Sequence, residues 1–264
     1  MTRPRIGAAV VAVLLAASIG FAQRYYVDVA TDESFDGAFN FCRIAFNSAS
    51  NGFGGGWGVD FPDADANLMT RTSELTRTPI SRLAGGTPNH LVMRLTDPVL
   101  FKCPFVMMTE VGGLFIFPEE VEPLRDYLLK GGFLWADDFW GENAWWVFES
   151  QIRKVLPSGP YPIIDLPPDH AMMRMMFNVR EVTQIPSINH WRGSGGGTAE
   201  TFDARVPHAR AIAGEHGRIM VLITHNTDYG DSWEREAADP EYFQQFSVPG
   251  YAFGINAILY AMTH

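Results

Sequence analysis

Hydrophobic and polar positions along the chain follow two patterns in turn, which predict strands followed by helices. Short apolar runs typical of buried strands occur at residues 40–46, 91–95, 105–109 and 133–136. Amphipathic spacing that indicates helices occurs at residues 63–77, 118–130 and 142–155. Strands that alternate with helices favour an α/β fold, in which an open, mostly parallel sheet carries helices on both faces.

The second half of the chain has weaker periodicity and predicts long loops over the carboxyl edge of the sheet. Residues 157–206 are rich in Pro and Gly and have little regular spacing. Residues 208–213 and 219–224 flank a glycine-containing turn and predict a hairpin on the sheet edge. Residues 225–248 indicate a polar, acidic and aromatic loop, and residues 251–262 predict an apolar closing helix.

The N-terminal residues have the layout of a secretory signal peptide. Two arginines precede an apolar run at residues 6–21, and Gly20 and Ala22 supply the small residues of a cleavage site. The run is short for a membrane-spanning helix, so we expect cleavage near Ala22 rather than a retained anchor. We therefore predict a signal peptide at residues 1–22 and a single domain at residues 23–264. The protein is expected in the periplasm or outside the cell, without a stable membrane anchor.

Charge and cysteine content narrow the classes of partner. The 264 residues carry a formal net charge of −10 at pH 7, and the sequence has no basic cluster. Nucleic acids and anionic membranes are therefore disfavoured, whereas a small molecule, a glycan or a protein partner fits this composition. The two cysteines, Cys42 and Cys103, either form a disulfide in an exported protein or stay as buried free thiols. Neither has the spacing of a metal ligand.

Three carboxylates follow the apolar run at residues 133–136, at a strand end where open α/β sheets place their ligands. Asp137, Asp138 and Glu142, with Trp140 between them, could bind a divalent cation or divide acid and base roles. The alternative is that Asp138 caps the following helix while Asp137 bonds the backbone of the turn. The sequence requires no cofactor and assigns no metal ligand, although it leaves room for a divalent cation.

A second acidic and aromatic segment follows the predicted strand at residues 219–224. This mixture suits a carbohydrate, because sugar rings stack on aromatic side chains and sugar hydroxyls bond acids and amides. The predicted ligand-binding residues of the segment are Asn226, Asp228, Tyr229, Asp231, Trp233 and Glu234. Trp57 and Asp60, which follow a glycine-rich loop, are predicted to join the same rim. A solvated acidic loop is the alternative interpretation.

One histidine is placed where it could take part in proton transfer. His170 follows a Pro-rich loop and opens a short predicted helix, where it is either a proton carrier or a structural hydrogen-bonding group. Together with Asp137 and Asp138 it forms the predicted catalytic set. We expect all three side chains to converge at the carboxyl end of the strand at residues 133–136.

One spacing resembles a calcium-binding loop. Asp63, Asp65 and Asn67 occupy the first, third and fifth positions of such a loop, but Leu68 stands where the loop needs Gly in order to turn. We therefore predict a capped and acidic helix N-terminus at these residues.

Several of these pieces, in the same order, resemble an uncharacterised and mostly exported bacterial family, the domain of unknown function 4159. The matching pieces are residues 57–68, 95–98, 131–141, 166–170, 226 and 229–234. The resemblance implies a flavodoxin-like sheet similar to class I glutamine amidotransferases and ThuA-like proteins, and it implies no activity. Amidotransferases carry Cys on the elbow where this chain has Asp138 and Phe139, so a Cys-dependent glutaminase is disfavoured.

Two functions fit these residues. The first is an exported ligand-binding or scaffold domain that holds a carbohydrate or a partner's peptide and lacks the amidotransferase nucleophile. The second is a hydrolase that uses carboxylates and His170, with or without a metal, on a glycan or sugar derivative. The missing Ser or Cys nucleophile favours the first function, and the density of acids and aromatic rings supports the second.

Overall fold

The computed structural model describes residues 29–49 and 54–264. The predicted signal peptide and the first residues of the glycine-rich loop lie outside the described residues. The strands are β1 Cys42–Ile44, β2 Asn47–Ser48, β3 Leu91–Met93, β4 Phe105–Thr109, β5 Leu114–Phe115, β6 Phe133–Asp137, β7 Ile163–Asp165, β8 His208–Ala213 and β9 Ile219–His225. The α-helices are α1 Asp63–Leu75, α2 Pro118–Leu129, α3 Gly141–Val155, α4 Ile188–Ser194, α5 Tyr229–Glu234, α6 Pro240–Tyr242 and α7 Val248–Thr263.

Seven strands form one sheet in the order β3-β1-β4-β6-β9-β8-β7. The first five of these strands are parallel, and β8 and β7 continue the sheet in antiparallel pairing. This arrangement confirms the predicted α/β fold with a flavodoxin-like open sheet. The predicted hairpin exists, but its place at the sheet edge was wrong. Its strand β9 is buried beside β6, and β7 covers its outer strand.

The sheet separates two apolar layers, and strand β6 contributes to both. Phe133 and Trp135 face a layer that includes helices α1 and α7, while Leu134 and Ala136 face one that includes α2 and α3. This alternation follows from the period of two along a strand. All five residues of β6 are buried, so the strand lies at the centre of the fold and its carboxyl end opens beneath the loops.

The two cysteines form a disulfide between the start of β1 and the segment before β4. The disulfide excludes the alternative of two buried free thiols, which the sequence left open. The bond closes a loop of 61 residues at the amino end of the sheet.

Helix α1 begins at Asp63, as predicted, and the calcium-loop spacing is part of this helix. The predicted side-chain cap was wrong, because the N-cap residue is Pro62 and makes no such bond. Asp65 is fully buried, and its carboxylate is paired with the equally buried Arg43 of β1. Arg43 Nη1 also donates to the carbonyl oxygens of Trp57 and Val59, each at 3.2 Å. The pair therefore fixes the segment that leads into α1.

Residues 225–248 do not form the predicted loop. They contain helices α5 and α6 and a π-helical turn at Phe243–Ser247 that runs into α7. The short helix predicted to open at His170 is a single 3-10 turn at Ala171–Arg174. Across the part of the chain that the structure describes, no helix has both the length and the apolar character needed to cross a membrane.

Candidate functional site

Backbone strain is concentrated at the carboxyl edge of the sheet. Within the described residues, four non-glycine residues have positive φ: Asp60 (60°), Glu110 (56°), Asp138 (57°) and Asn226 (61°). Glu110, Asp138 and Asn226 each follow a central strand, β4, β6 and β9 respectively, and Asp60 precedes α1. Left-handed conformations of such residues cost free energy and cluster at functional sites. The shared conformation therefore marks this edge as the candidate site.

A cavity of about 270 Å³ lies at this edge. Seven carboxylic acids line it: Asp60, Glu110, Asp138, Glu200, Asp228, Asp231 and Glu234. Arg235 is the one basic residue among the described residues of its lining, and Trp140 contributes an aromatic wall. An adjoining cavity of about 210 Å³ shares Glu110, Trp140 and Glu200.

Asp60, Asp138 and Asp228 form a buried triad, in which one carboxylate oxygen of each lies within 4.8 Å of the others. Asp138 Oδ1 accepts a hydrogen bond from Trp140 Nε1 at 3.0 Å, and Asp228 Oδ1 accepts one from the backbone N–H of Asp231 at 2.7 Å. Asp60 Oδ2 is buried and has no hydrogen-bond partner. An ionised carboxylate in this state calls for a positive charge beside it.

A second triad shares Asp60 and adds Asp231 and Glu234, again with one oxygen of each within 4.8 Å of the others. Asp231 Oδ2 accepts from the backbone N–H of Ile188 and from the Tyr242 hydroxyl, both at 2.8 Å. These bonds hold the Asp231 carboxylate in place beside Asp60.

Two glycines make room for the carboxylates. A Cβ atom at Gly230 would lie 2.3 Å from Asp60 Oδ2, and one at Gly54 would lie 1.8 Å from Glu110 Oε2. Real Cβ contacts are not this short, so any side chain at either position would displace a carboxylate. The glycines are therefore part of the site although they carry no functional group.

Burial and mutual repulsion raise the pKa values of these acids. Burial is the largest cause for Asp60, Asp138 and Asp228, and neighbouring carboxylates raise the pKa of each further. Burial also raises the pKa of Glu110 to about 6, with a smaller contribution from Glu200. A cation bound to these carboxylates therefore competes with protons.

Asp137 lies beneath the pocket and not in it. Its side chain is fully buried, and it accepts hydrogen bonds from the Thr224 hydroxyl and from the backbone N–H groups of Tyr229 and Gly230. Burial raises the pKa of Asp137 to about 7. Asp137 therefore ties β6 to β9 and to the start of α5, which carries Asp231.

Two residues predicted to bind a ligand belong to the core instead. Trp233 is fully buried and Tyr229 is 1% exposed. Both rings pack against Trp135, with ring centroids 5.4 Å apart in each case. Helix α5 presents this aromatic face to the sheet, and its acids face the pocket. The prediction of a sugar-stacking role for these two rings was wrong.

Three other predicted ligand-binding residues lie outside the lining of the pocket. Asn226 Oδ1 accepts from the backbone N–H of Gly141, and Asn226 Nδ2 donates to the carbonyl oxygen of Val206, each at 2.9 Å. The ring of Trp57 packs edge-on against Phe61 and is not part of the cavity lining. Glu142 is exposed at the start of α3, also away from the lining.

His170 lies at the opposite end of the sheet, so the predicted convergence with Asp138 was wrong. Its ring centroid is 5.7 Å from that of Tyr260, whose hydroxyl bonds the backbone N–H of Ile219, the first residue of β9. Its imidazole accepts from the backbone N–H of Met172, which is a structural role. A cavity of about 420 Å³ also lies at that end, beside the disulfide, but it lacks an acidic cluster.

The sequence prediction missed two acids of the pocket. Glu110 directly follows β4, so the same strand-end rule that identified Asp138 would have found it. Glu200 lies in an irregular stretch of the chain with no local signal. It is held by the backbone N–H of Ser187, which donates to Glu200 Oε1 at 2.6 Å.

A comparison with protein families found a match over most of the chain. The family described as Domain of unknown function (DUF4159) matches residues 41–262. The chain belongs to this family. The match covers every strand of the main sheet and all seven acids of the pocket. No curated protein matches the chain.

Proposed function

We propose that this DUF4159 protein is an exported ligand-binding domain whose acidic pocket binds a divalent cation through Asp60, Asp138 and Asp228. The unpartnered, buried Asp60 Oδ2 carries the proposal, because it is a carboxylate oxygen with no protein donor in a cluster of other carboxylates. Carboxylate oxygens are the ligands that hard cations such as Ca²⁺ and Mg²⁺ prefer.

The electrostatics of the pocket favour the same conclusion. Burying a carboxylate without a counter-charge costs free energy. Seven carboxylic acids line the pocket, and Arg235 supplies the one guanidinium group among the described residues of the lining. Arg43 lies below Asp60 and lowers its pKa, but Asp65 already pairs with that guanidinium. A bound cation removes the remaining repulsion between Asp60, Asp138 and Asp228.

A carbohydrate fits as the ligand of the cation-loaded pocket. Trp140 lines the cavity, and a cation held by three carboxylates has coordination positions left for hydroxyl oxygens. Export is supported by the disulfide between Cys42 and Cys103, because disulfides persist in oxidising compartments. No part of this proposal requires His170.

Thermal unfolding of metal-stripped protein tests the cation. Saturation at 100 times the dissociation constant stabilises a protein by about 2.7 kcal/mol, which corresponds to roughly 5–10 °C in Tm for a chain of this size. We expect Ca²⁺ or Mg²⁺ to give such a shift with the wild type and a smaller shift with Asp228→Asn, whose amide keeps the cap of α5. Asp169→Asn removes an exposed carboxylate elsewhere and is the matched control. Equal shifts in all three proteins would contradict the proposal.

A second candidate function is a carboxylate-dependent glycan hydrolase, favoured by Glu110. This side chain lines both adjoining cavities next to Glu200, and its pKa of about 6 suits a general acid. Glu110→Gln should then abolish hydrolysis of a panel of glycans while the cation still binds. If no glycan is cleaved by the wild type, the ligand-binding function alone stands.

A further inference from the structure

Asp60 belongs to two groups of carboxylates at once. One group is completed by Asp138 and Asp228, and the other by Asp231 and Glu234. Both groups share the Asp60 side chain, whose buried Oδ2 has no hydrogen-bond partner. A carboxylate has two oxygens, so a single aspartate can serve a cation in each group.

The second group has oxygens free for a cation. Asp231 uses Oδ2 for the Ile188 amide and the Tyr242 hydroxyl, and its Oδ1 has only Arg235 Nε at 3.7 Å. Glu234 Oε2 lies 2.9 Å from the same Arg235 Nε. Arg235 Nε makes no well-aligned hydrogen bond. The guanidinium group therefore contributes positive charge but leaves these carboxylate oxygens available to a cation.

One dication does not balance the charge of the pocket. Once cations displace the protons of the pocket, seven carboxylates against Arg235 leave an excess of six negative charges, of which one divalent cation neutralises two. The excess carboxylates are buried or half-buried, where repulsion is screened weakly. A second dication reduces the remaining excess from four negative charges to two. Its ligands would be the carboxylate oxygens of the second group.

We infer that the pocket binds two divalent cations, bridged by Asp60, the first on Asp138 and Asp228 and the second on Asp231 and Glu234. This inference rests on the proposed function and extends it, because a single cation on the first group would satisfy the proposal alone.

The test is the number of ions bound per chain, measured by calorimetric titration of metal-stripped protein with CaCl₂ and separately with MnCl₂. We expect two ions for the wild type, one for Glu234→Gln and one for Asp228→Asn. Asp60→Asn should bind none, or lose at least tenfold in affinity for both ions. Glu241→Gln changes an exposed glutamate of helix α6. It is the matched control and should bind two ions.

The outcomes separate the two proposals. One ion in the wild type, lost in Asp228→Asn and retained in Glu234→Gln, would overturn the bridged pair and leave the single-cation function standing. No ion in a wild type that is folded by circular dichroism would overturn both. If Glu234→Gln is unfolded, native mass spectrometry of the wild type with Mn²⁺ still counts the ions, and a single ion there also overturns the inference.

Discussion

Replacing Asp60 by Asn should stabilise the cation-free protein while removing its response to cations. The amide has nearly the shape of the carboxylate and tolerates the positive φ of this position. It carries no charge to repel Asp138, Asp228 and Asp231, and it can donate to their oxygens. Leaving a buried polar group unsatisfied costs about 1–3 kcal/mol, and more if it is charged. We therefore expect a gain of about 1–3 kcal/mol, or roughly 2–12 °C in Tm.

The gain should depend on pH in a defined direction. Burial raises the pKa of Asp60 above its ordinary value of 3.8, so the folded protein binds this proton more tightly than the unfolded chain does. The contribution of the protonated group to stability is present below pH 3.8 and is lost as the pH rises through the folded-state pKa. The difference between Asp60→Asn and the wild type should therefore be small at pH 4 and largest at pH 8.

Urea unfolding in EDTA at several pH values measures this difference, and repeats with Ca²⁺ measure the response to the cation. Subtracting the two proteins cancels titrations that they share, including that of His225, whose pKa burial lowers to about 4. A variant that is less stable than the wild type in EDTA at pH 8, or that still gains stability from Ca²⁺, would refute the reasoning.

Three further predictions concern residues around the site. Gly230→Ala should prevent cation-induced stabilisation in the thermal assay, because its Cβ would lie 2.3 Å from Asp60 Oδ2. Unchanged stabilisation would contradict the role of Gly230 in making room for the Asp60 carboxylate. Joint replacement of Cys42 and Cys103 by Ser should cost about 4 kcal/mol in urea unfolding, from the 61-residue loop that the disulfide closes, and should spare cation binding in calorimetry. Trp233→Ala should cost about 3–5 kcal/mol in urea unfolding, because this fully buried ring packs in the core; a loss of ligand binding at unchanged stability would oppose this assignment.

The sequence predicted the elements whose signals are local. Strand β4 and the start of α2 agree with prediction to the residue, because an unbroken apolar run defines β4 and Pro118 fixes the first turn of the helix. The strand-end rule also placed Asp138 in the pocket. These predictions needed no knowledge of distant contacts.

The errors arise where a local pattern had two interpretations. Tyr229 and Trp233 are four residues apart, which is the spacing of one helix face, but their acidic neighbours favoured a loop. His170 lies in an irregular stretch, and no local signal says which end of the sheet such a stretch reaches. The meeting of Asp60 with Asp228 depends on the paths of two connections across the carboxyl edge, which no spacing within either segment encodes.

The most direct test of the cation site is a crystal structure of metal-stripped protein soaked with MnCl₂, with anomalous diffraction used to locate the ions. We predict an anomalous peak bounded by the carboxylates of Asp60, Asp138 and Asp228, with Asp60 Oδ2 turned toward a metal. A map without an anomalous peak among these three side chains, in a crystal with the pocket open to solvent, would contradict the account.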